Sequence, residues 1–175
     1  MATSSASAQD RLVRVQTPDT ARYPLEVEVH GSFGADNVYG DTGLGAGLRV
    51  SIPLVAGWLG RNVSQNLAIS FGADVLNYQN CYYTNQCGAT YLMLPVAAQW
   101  NVFFARRVSV FGEGGLFLYR GFYDGCGPGN GVCDTPSDFG VLPTFALGVR
   151  VRLAPNVALL ARLGYPTSTV GVSFL

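Results

Sequence analysis

Leu25 to Phe33 reads L-E-V-E-V-H-G-S-F, and its alternation decides the fold. Every odd-numbered residue except Gly31 is apolar, while Glu26, Glu28, His30 and Ser32 fall on the other parity. A period of two places successive side chains on opposite faces of a strand, so one face is oily and the other charged. Which of the two faces meets water then determines what kind of protein this is.

The same period recurs in seven further stretches. Leu44, Ala46, Leu48, Val50 and Ile52 oppose Gly45, Gly47, Arg49 and Ser51, and Leu67, Ile69, Phe71, Ala73 and Val75 oppose Ala68, Ser70, Gly72 and Asp74. Leu92, Leu94, Val96, Ala98, Trp100 and Val102 stand against Tyr91, Met93, Gln99 and Asn101. In the fifth stretch, Val108 to Tyr119, the faces differ less, with Ser109, Phe111, Glu113, Gly115, Phe117 and Tyr119 on the more polar side. Val141, Phe145, Leu147, Val149 and Val151 oppose Thr144, Ala146, Gly148, Arg150 and Arg152, and the turn Leu153 to Asn156 reverses the chain. Val157 to Tyr165 carries Arg162 and Gly164 on its polar side, and Val170, Val172 and Phe174 alternate with Thr169, Gly171 and Ser173. No helical period competes with these eight.

Composition selects the environment. Charged residues are 13% of the 175, against roughly 25% in an average soluble domain, and 22 residues are glycine. All eleven basic residues are arginine. Mean hydropathy is +0.24, yet no apolar run approaches the ~18 residues of a membrane-spanning helix. If a membrane is crossed, strands must cross it. A soluble barrel with its apolar face inward, such as a lipocalin-like carrier, would need a well-charged exterior; here the second face is mostly Gly, Ser, Ala and Thr with isolated charges.

Those charges are Glu26, Glu28, Asp74 and Glu113 against Arg49, Arg150, Arg152 and Arg162, with His30 among them. Four acids and four arginines inside a closed lumen satisfy the requirement that buried charge be paired. The glycines on the same face leave room for the long polar side chains. Connections after the first, third and fifth strands are long and those after the fourth and sixth are tight, an asymmetry typical of transmembrane barrels, although Ala56 to Gln65 is long for an inner turn and Pro166 to Ser168 short for an outer loop. Aromatic residues gather at strand ends, as membrane-interface anchors do: Trp58, Trp100, Phe103, Phe104 and Phe174 at the short-turn end, Tyr39, Tyr78, Tyr91, Tyr119 and Tyr123 at the long-loop end.

With these features, the glycine-rich strand G-L-G-A-G-L-R-V and the terminal T-V-G-V-S-F-L, the chain from about Arg22 to Leu175 resembles the small eight-stranded outer-membrane barrels of Gram-negative bacteria, the OmpA/OmpX type. In that family the last strand usually ends on Phe, whereas here Phe174 is followed by Leu175. The resemblance implies an all-β, eight-stranded antiparallel up-and-down transmembrane β-barrel over residues 23–175 after a flexible segment 1–22. It further implies a bacterial outer-membrane location, both termini in the periplasm and closure as a monomer. Ala6-Ser7-Ala8 has the small-x-small form of a signal-peptide cleavage site.

Chemistry finds little purchase. His30 is the only histidine, so any nucleophilic triad depends on it alone, and its place beside Glu28 favours a lumen hydrogen bond. No Ser sits in a G-x-S-x-G turn, and Asp74 and Glu113 have balancing arginines rather than the isolation a general acid needs. G-L-G-A-G is followed by strand alternation and not by a helix, which excludes a phosphate loop. The arginines form no nucleic-acid patch. No enzyme activity, cofactor or metal is expected; the expected partners are membrane lipids and an extracellular ligand held by the outer loops. A narrow ion or solute channel is the alternative role.

The four cysteines form two close pairs, Cys81/Cys87 and Cys126/Cys133, in polar loop sequences with no further zinc ligand nearby. Three pairings exist, of which two local loops are the simplest, and either implies an oxidising compartment. Peptide mapping without reductant is expected to link Cys81 to Cys87 and Cys126 to Cys133; a bond joining the two loops would refute the local pairing.

Overall fold

In a computed structural model, eight antiparallel strands close into a barrel in sequence order. The residues described are 24–36, 41–56, 64–78, 88–124 and 137–175. The strands are β1 (Glu26–Asp36), β2 (Asp41–Ala56), β3 (Ser64–Tyr78), β4 (Gly88–Phe103), β5 (Val108–Asp124), β6 (Ser137–Ala154), β7 (Val157–Tyr165) and β8 (Thr167–Phe174). Each pairs with its neighbour in sequence, and β1 pairs with β8 from Val27↔Phe174 to Gly34↔Thr167, which removes both free edges of the sheet. The four cysteines, Tyr39 and Trp58 lie outside the described residues, as does the segment 1–23.

Strand parity separates two surfaces. Leu48, Val75, Val96, Leu116, Leu147, Leu163 and Val170 point away from the axis, and Leu163 remains 75% exposed. Their polar neighbours, including Glu28, Arg49, Asp74, Gln99, Arg150 and Arg162, are buried inside. A surface this apolar is stable only against an apolar solvent, which for a closed barrel is the hydrocarbon of a bilayer.

Strands run longer than the hydrophobic alternation alone indicates. The segment expected to form the first outer loop is largely ladder: Gly34 pairs with Gly43 and Asp36 with Asp41. Backbone pairing carries on past the apolar belt, where side-chain alternation no longer marks it. Prolines sit where the ladder tolerates a missing donor. The β2–β3 register shifts between Pro53 and Val55, and Pro95 falls in a gap between the pairs Phe71↔Val96 and Asp74↔Met93. Pro143 lies beyond Phe145↔Tyr165, where β6 has no neighbour on the β7 side. The β7–β8 connection is the single residue Pro166.

The interior is layered. Toward the long-loop end Leu76, Met93 and Phe117 form an apolar cluster, with Tyr78, Tyr91, Tyr119 and Leu142 packed against it. Below it lie the charged residues, and toward the short-turn end Asn66, Gln99 and Asn101 form a buried amide chain: Gln99 Nε2 donates to Asn101 Oδ1 and Asn101 Nδ2 to Asn66 Oδ1. The outer third of the lumen is therefore apolar and aromatic, where the sequence led us to expect polar side chains throughout.

Leu48, midway along β2 on the outward face, tests the orientation of the wall. Leu48→Arg is expected to lower unfolding free energy by about 2–4 kcal/mol in lipid vesicles, the range for a basic residue at the bilayer midplane. Chemical denaturation measures it, and an unchanged value would show that this face does not meet lipid.

Candidate functional site

The charges of the lumen close into a ring. Glu28 on β1 receives two hydrogen bonds from Arg162 of β7, Nη1 to Oε1 at 2.9 Å and Nη2 to Oε2 at 3.0 Å. Arg162 Nη2 also donates to Glu113 Oε1 of β5 at 3.1 Å, and its Nε lies 3.0 Å from Oε2. Glu113 Oε2 accepts from Arg49 Nη1 of β2 at 3.0 Å. Arg49 Nη2 faces Asp74 Oδ2 of β3 at 3.6 Å, the longest link. Asp74 Oδ1 is 2.5 Å from His30 Nε2, and His30 Nδ1 is 3.1 Å from Glu28 Oε1, which returns the ring to β1.

His30 has a defined part in this circuit. A carboxylate accepts hydrogen bonds and donates none, so the contact with Asp74 Oδ1 requires a proton on Nε2, while Nδ1 faces Glu28 Oε1 without a formed hydrogen bond. When protonated on both nitrogens, His30 is the ring's third cation, and acid and base then alternate all the way round: Glu28, His30, Asp74, Arg49, Glu113, Arg162. A separate pair lies toward the short-turn end. Arg150 grips Glu26 through Nε to Oε1 at 2.9 Å and Nη2 to Oε2 at 2.5 Å, and its Nη1 donates to Asn101 Oδ1 at 3.1 Å. Phe111 stands beside both assemblies, its ring centroid 5.4 Å from the Arg150 guanidinium carbon and 5.2 Å from that of Arg162. Both contacts have cation–π geometry.

Close packing requires particular glycines. A Cβ at Gly47 would overlap Asp74 Oδ1 and His30 Nε2, so this position must be bare for the ring to close. Gly43 and Gly148 make room for rings instead, those of Tyr78 and Phe111. Glycine here serves aromatic as well as charged neighbours.

No family model and no curated protein matches the sequence. Solved structures do match the fold. The crystal structure of Ail, the attachment invasion locus protein of Yersinia pestis, gives a TM-score of 0.58 at 14% identity, covering 86% of this chain and 95% of that one. Ail in complex with the heparin analogue sucrose octasulfate gives 0.56 at 13% identity over the same shares. Neisserial surface protein A, NspA, is less similar, at 0.49 and 16% identity over 86% of this chain and 94% of its own. The chain has the fold of the small outer-membrane barrels.

Within that barrel the sequence-predicted residues separate. Glu26, Glu28, His30, Arg49, Asp74, Glu113, Arg150 and Arg162 lie together in the lumen. Arg152 does not join them: it shares their parity but sits at the short-turn rim, half-buried, with no carboxylate in ion-pair range among the described residues. The positive partner that completes the ring is His30. Among the proposed interface aromatics, Trp100, Phe104 and Phe174 face outward, and the Trp100 indole N–H donates to Gln65 Oε1 at 2.8 Å.

Phe103, Tyr78 and Tyr119 are corrections. All three have inward parity: Phe103 is buried, and the two tyrosines pack on the apolar cluster, along with Tyr91, which meets Tyr78 edge-on at 5.5 Å. Their place near strand ends pointed to a membrane interface, but parity governs direction. The apolar cluster was missed, although Leu76 and Leu142 alternate in step with the polar face and so carried the signal.

Removing one member of a buried ion pair costs about 3–5 kcal/mol because its partners are left uncompensated. Arg162→Met strips two carboxylates at once and is expected to destabilise the vesicle-embedded barrel by at least that range on urea titration. Arg152→Met, at the rim, is expected to change it by less than about 0.5 kcal/mol.

Proposed function

We propose that this barrel resides in a bacterial outer membrane with both termini in the periplasm, and that it acts through its outer loops on a partner outside the cell. The observation that carries this reading is the filled lumen. A closed ring of buried charge beneath a packed layer of Leu76, Met93 and Phe117 occupies the axis that a channel would need. The same commitment argues against catalysis, since every ring carboxylate is held by a cation and none is poised to exchange a proton with a substrate. Function on such a scaffold falls to the loops, where binding residues concentrate.

Two further features support this assignment. Both cysteine pairs fall in connections at the long-loop end, and local disulfides there would hold the loops in defined shapes. Asp36, Asp41, Asp124, Asp134 and Asp138 lie in or beside these connections, with Arg120 the basic residue near them. Ail has been crystallised with a sulfated sugar; the acidic outer end of this chain favours a cationic partner instead, by charge complementarity.

In planar bilayers the purified barrel is expected to give no single-channel steps; reproducible steps would overturn the assignment in favour of a narrow channel. Liposomes carrying the barrel are expected to bind a polylysine-coated surface better than a heparin-coated one. Replacing Asp36, Asp41, Asp124, Asp134 and Asp138 together with asparagine should abolish that difference while the barrel still migrates faster unboiled than boiled. An undiminished preference in the asparagine form would remove the acidic outer end from the proposal.

A further inference from the structure

At the short-turn end three arginines gather without an ion-pair partner among the described residues. Arg106 and Arg107 are exposed in the turn between β4 and β5, and Arg152 stands beside them on β6, where its backbone N–H donates to the Arg107 carbonyl at 2.7 Å. These three, with Phe103, Ser109 and the edge of Arg150, line one cleft at the barrel mouth. Among the described residues no carboxylate lies in ion-pair range of Arg106, Arg107 or Arg152. Glu26, the acid that reaches this end of the lumen, has both oxygens engaged by Arg150.

Like charges gathered in one cleft repel one another and focus a positive potential there, so the arrangement is relieved by an anion. Guanidinium forks suit the oxygens of phosphate, to which they donate in parallel pairs. The cleft also sits at a boundary. Phe104, 71% exposed, and Leu153, 59% exposed, end the apolar wall on the two flanking strands, so the arginines lie at the level where hydrocarbon gives way to headgroups and water.

We propose that Arg106, Arg107 and Arg152 form an oxyanion site at the short-turn mouth that takes a phosphate group. A phospholipid headgroup of the adjoining leaflet and a soluble phosphate share this chemistry. The site lies at the end of the barrel opposite the connections after β1, β3 and β5, and its three arginines form no ion pair with the lumen ring.

The test is isothermal titration of inorganic phosphate into the full chain in an uncharged detergent, and again in nanodiscs of phosphatidylcholine alone or with phosphatidylglycerol. Saturable binding in detergent is expected, weakened at least about tenfold in R107Q/R152Q and unchanged in Arg120→Gln at the opposite end. Both substitutions lie at exposed or half-exposed positions outside the core, and retained heat-modifiable migration checks that the barrel is intact; R107K/R152K, which keeps the charge without the fork, is expected to fall between. Loss of phosphate binding in phosphatidylglycerol nanodiscs would identify a lipid headgroup as the occupant, and undiminished binding there a soluble phosphate. No saturable binding to the wild type in detergent, or equal affinity in R107Q/R152Q, overturns the site.

Discussion

Charge that is taken out of water must be paired, and in this barrel that requirement is met by a circuit. Arg162 is held by Glu28 and Glu113, Arg49 by Glu113 and Asp74, and His30 by Asp74 and Glu28. Each carboxylate is shared between two cations, so no member can leave without stranding two others. The ring draws on β1, β2, β3, β5 and β7, and through Glu113 and Arg162 it ties β5 and β7 to each other and to β1 and β2, with which they share no backbone ladder. Backbone hydrogen bonds close the wall, and the ring fixes which side chains occupy its centre. Buried ion pairs give little net stability relative to apolar packing but penalise their own disruption severely.

The remaining structure follows from accommodating that circuit. Gly47 is bare because Asp74 and His30 meet where its Cβ would be. Phe111 supplies an aromatic face to Arg150 and Arg162. The apolar layer of Leu76, Met93 and Phe117 caps the ring on one side and the amide chain of Asn66, Asn101 and Gln99 lies on the other. Filled in this way the barrel interior has its side chains committed to one another.

Much of this was legible in the linear pattern. All eight strands appear as period-two segments, the strand V-A-L-L-A-R-L-G-Y to the residue, because each strand alternates between lipid and lumen and the two solvents could hardly differ more. Strand ends were less legible: Gly34 to Asp36 and Asp41 to Thr42 pair beyond Phe33 and Leu44, the last large apolar residues of the two strands, so alternation in sequence carries no signal there. Tyr78, Tyr119 and Phe103 were assigned by their closeness to strand ends, although their parity already placed them inside. Arg152 shows the converse, since parity put it on the inner face and only its depth separates it from the ring.

The sequence by itself determined which residues face lipid and which face the lumen, because a covalent chain in an extended conformation has no freedom to choose its parity. It also determined that four acids must find cations inside. Only the closed tertiary structure decided which cations those are. Arg162 meets Glu28 and Glu113 from 134 and 49 positions away, and Arg150 meets Glu26 across 124. Partners that distant are set by barrel closure and by the height of each residue along the axis, and neither quantity is written in the alternation of any one strand.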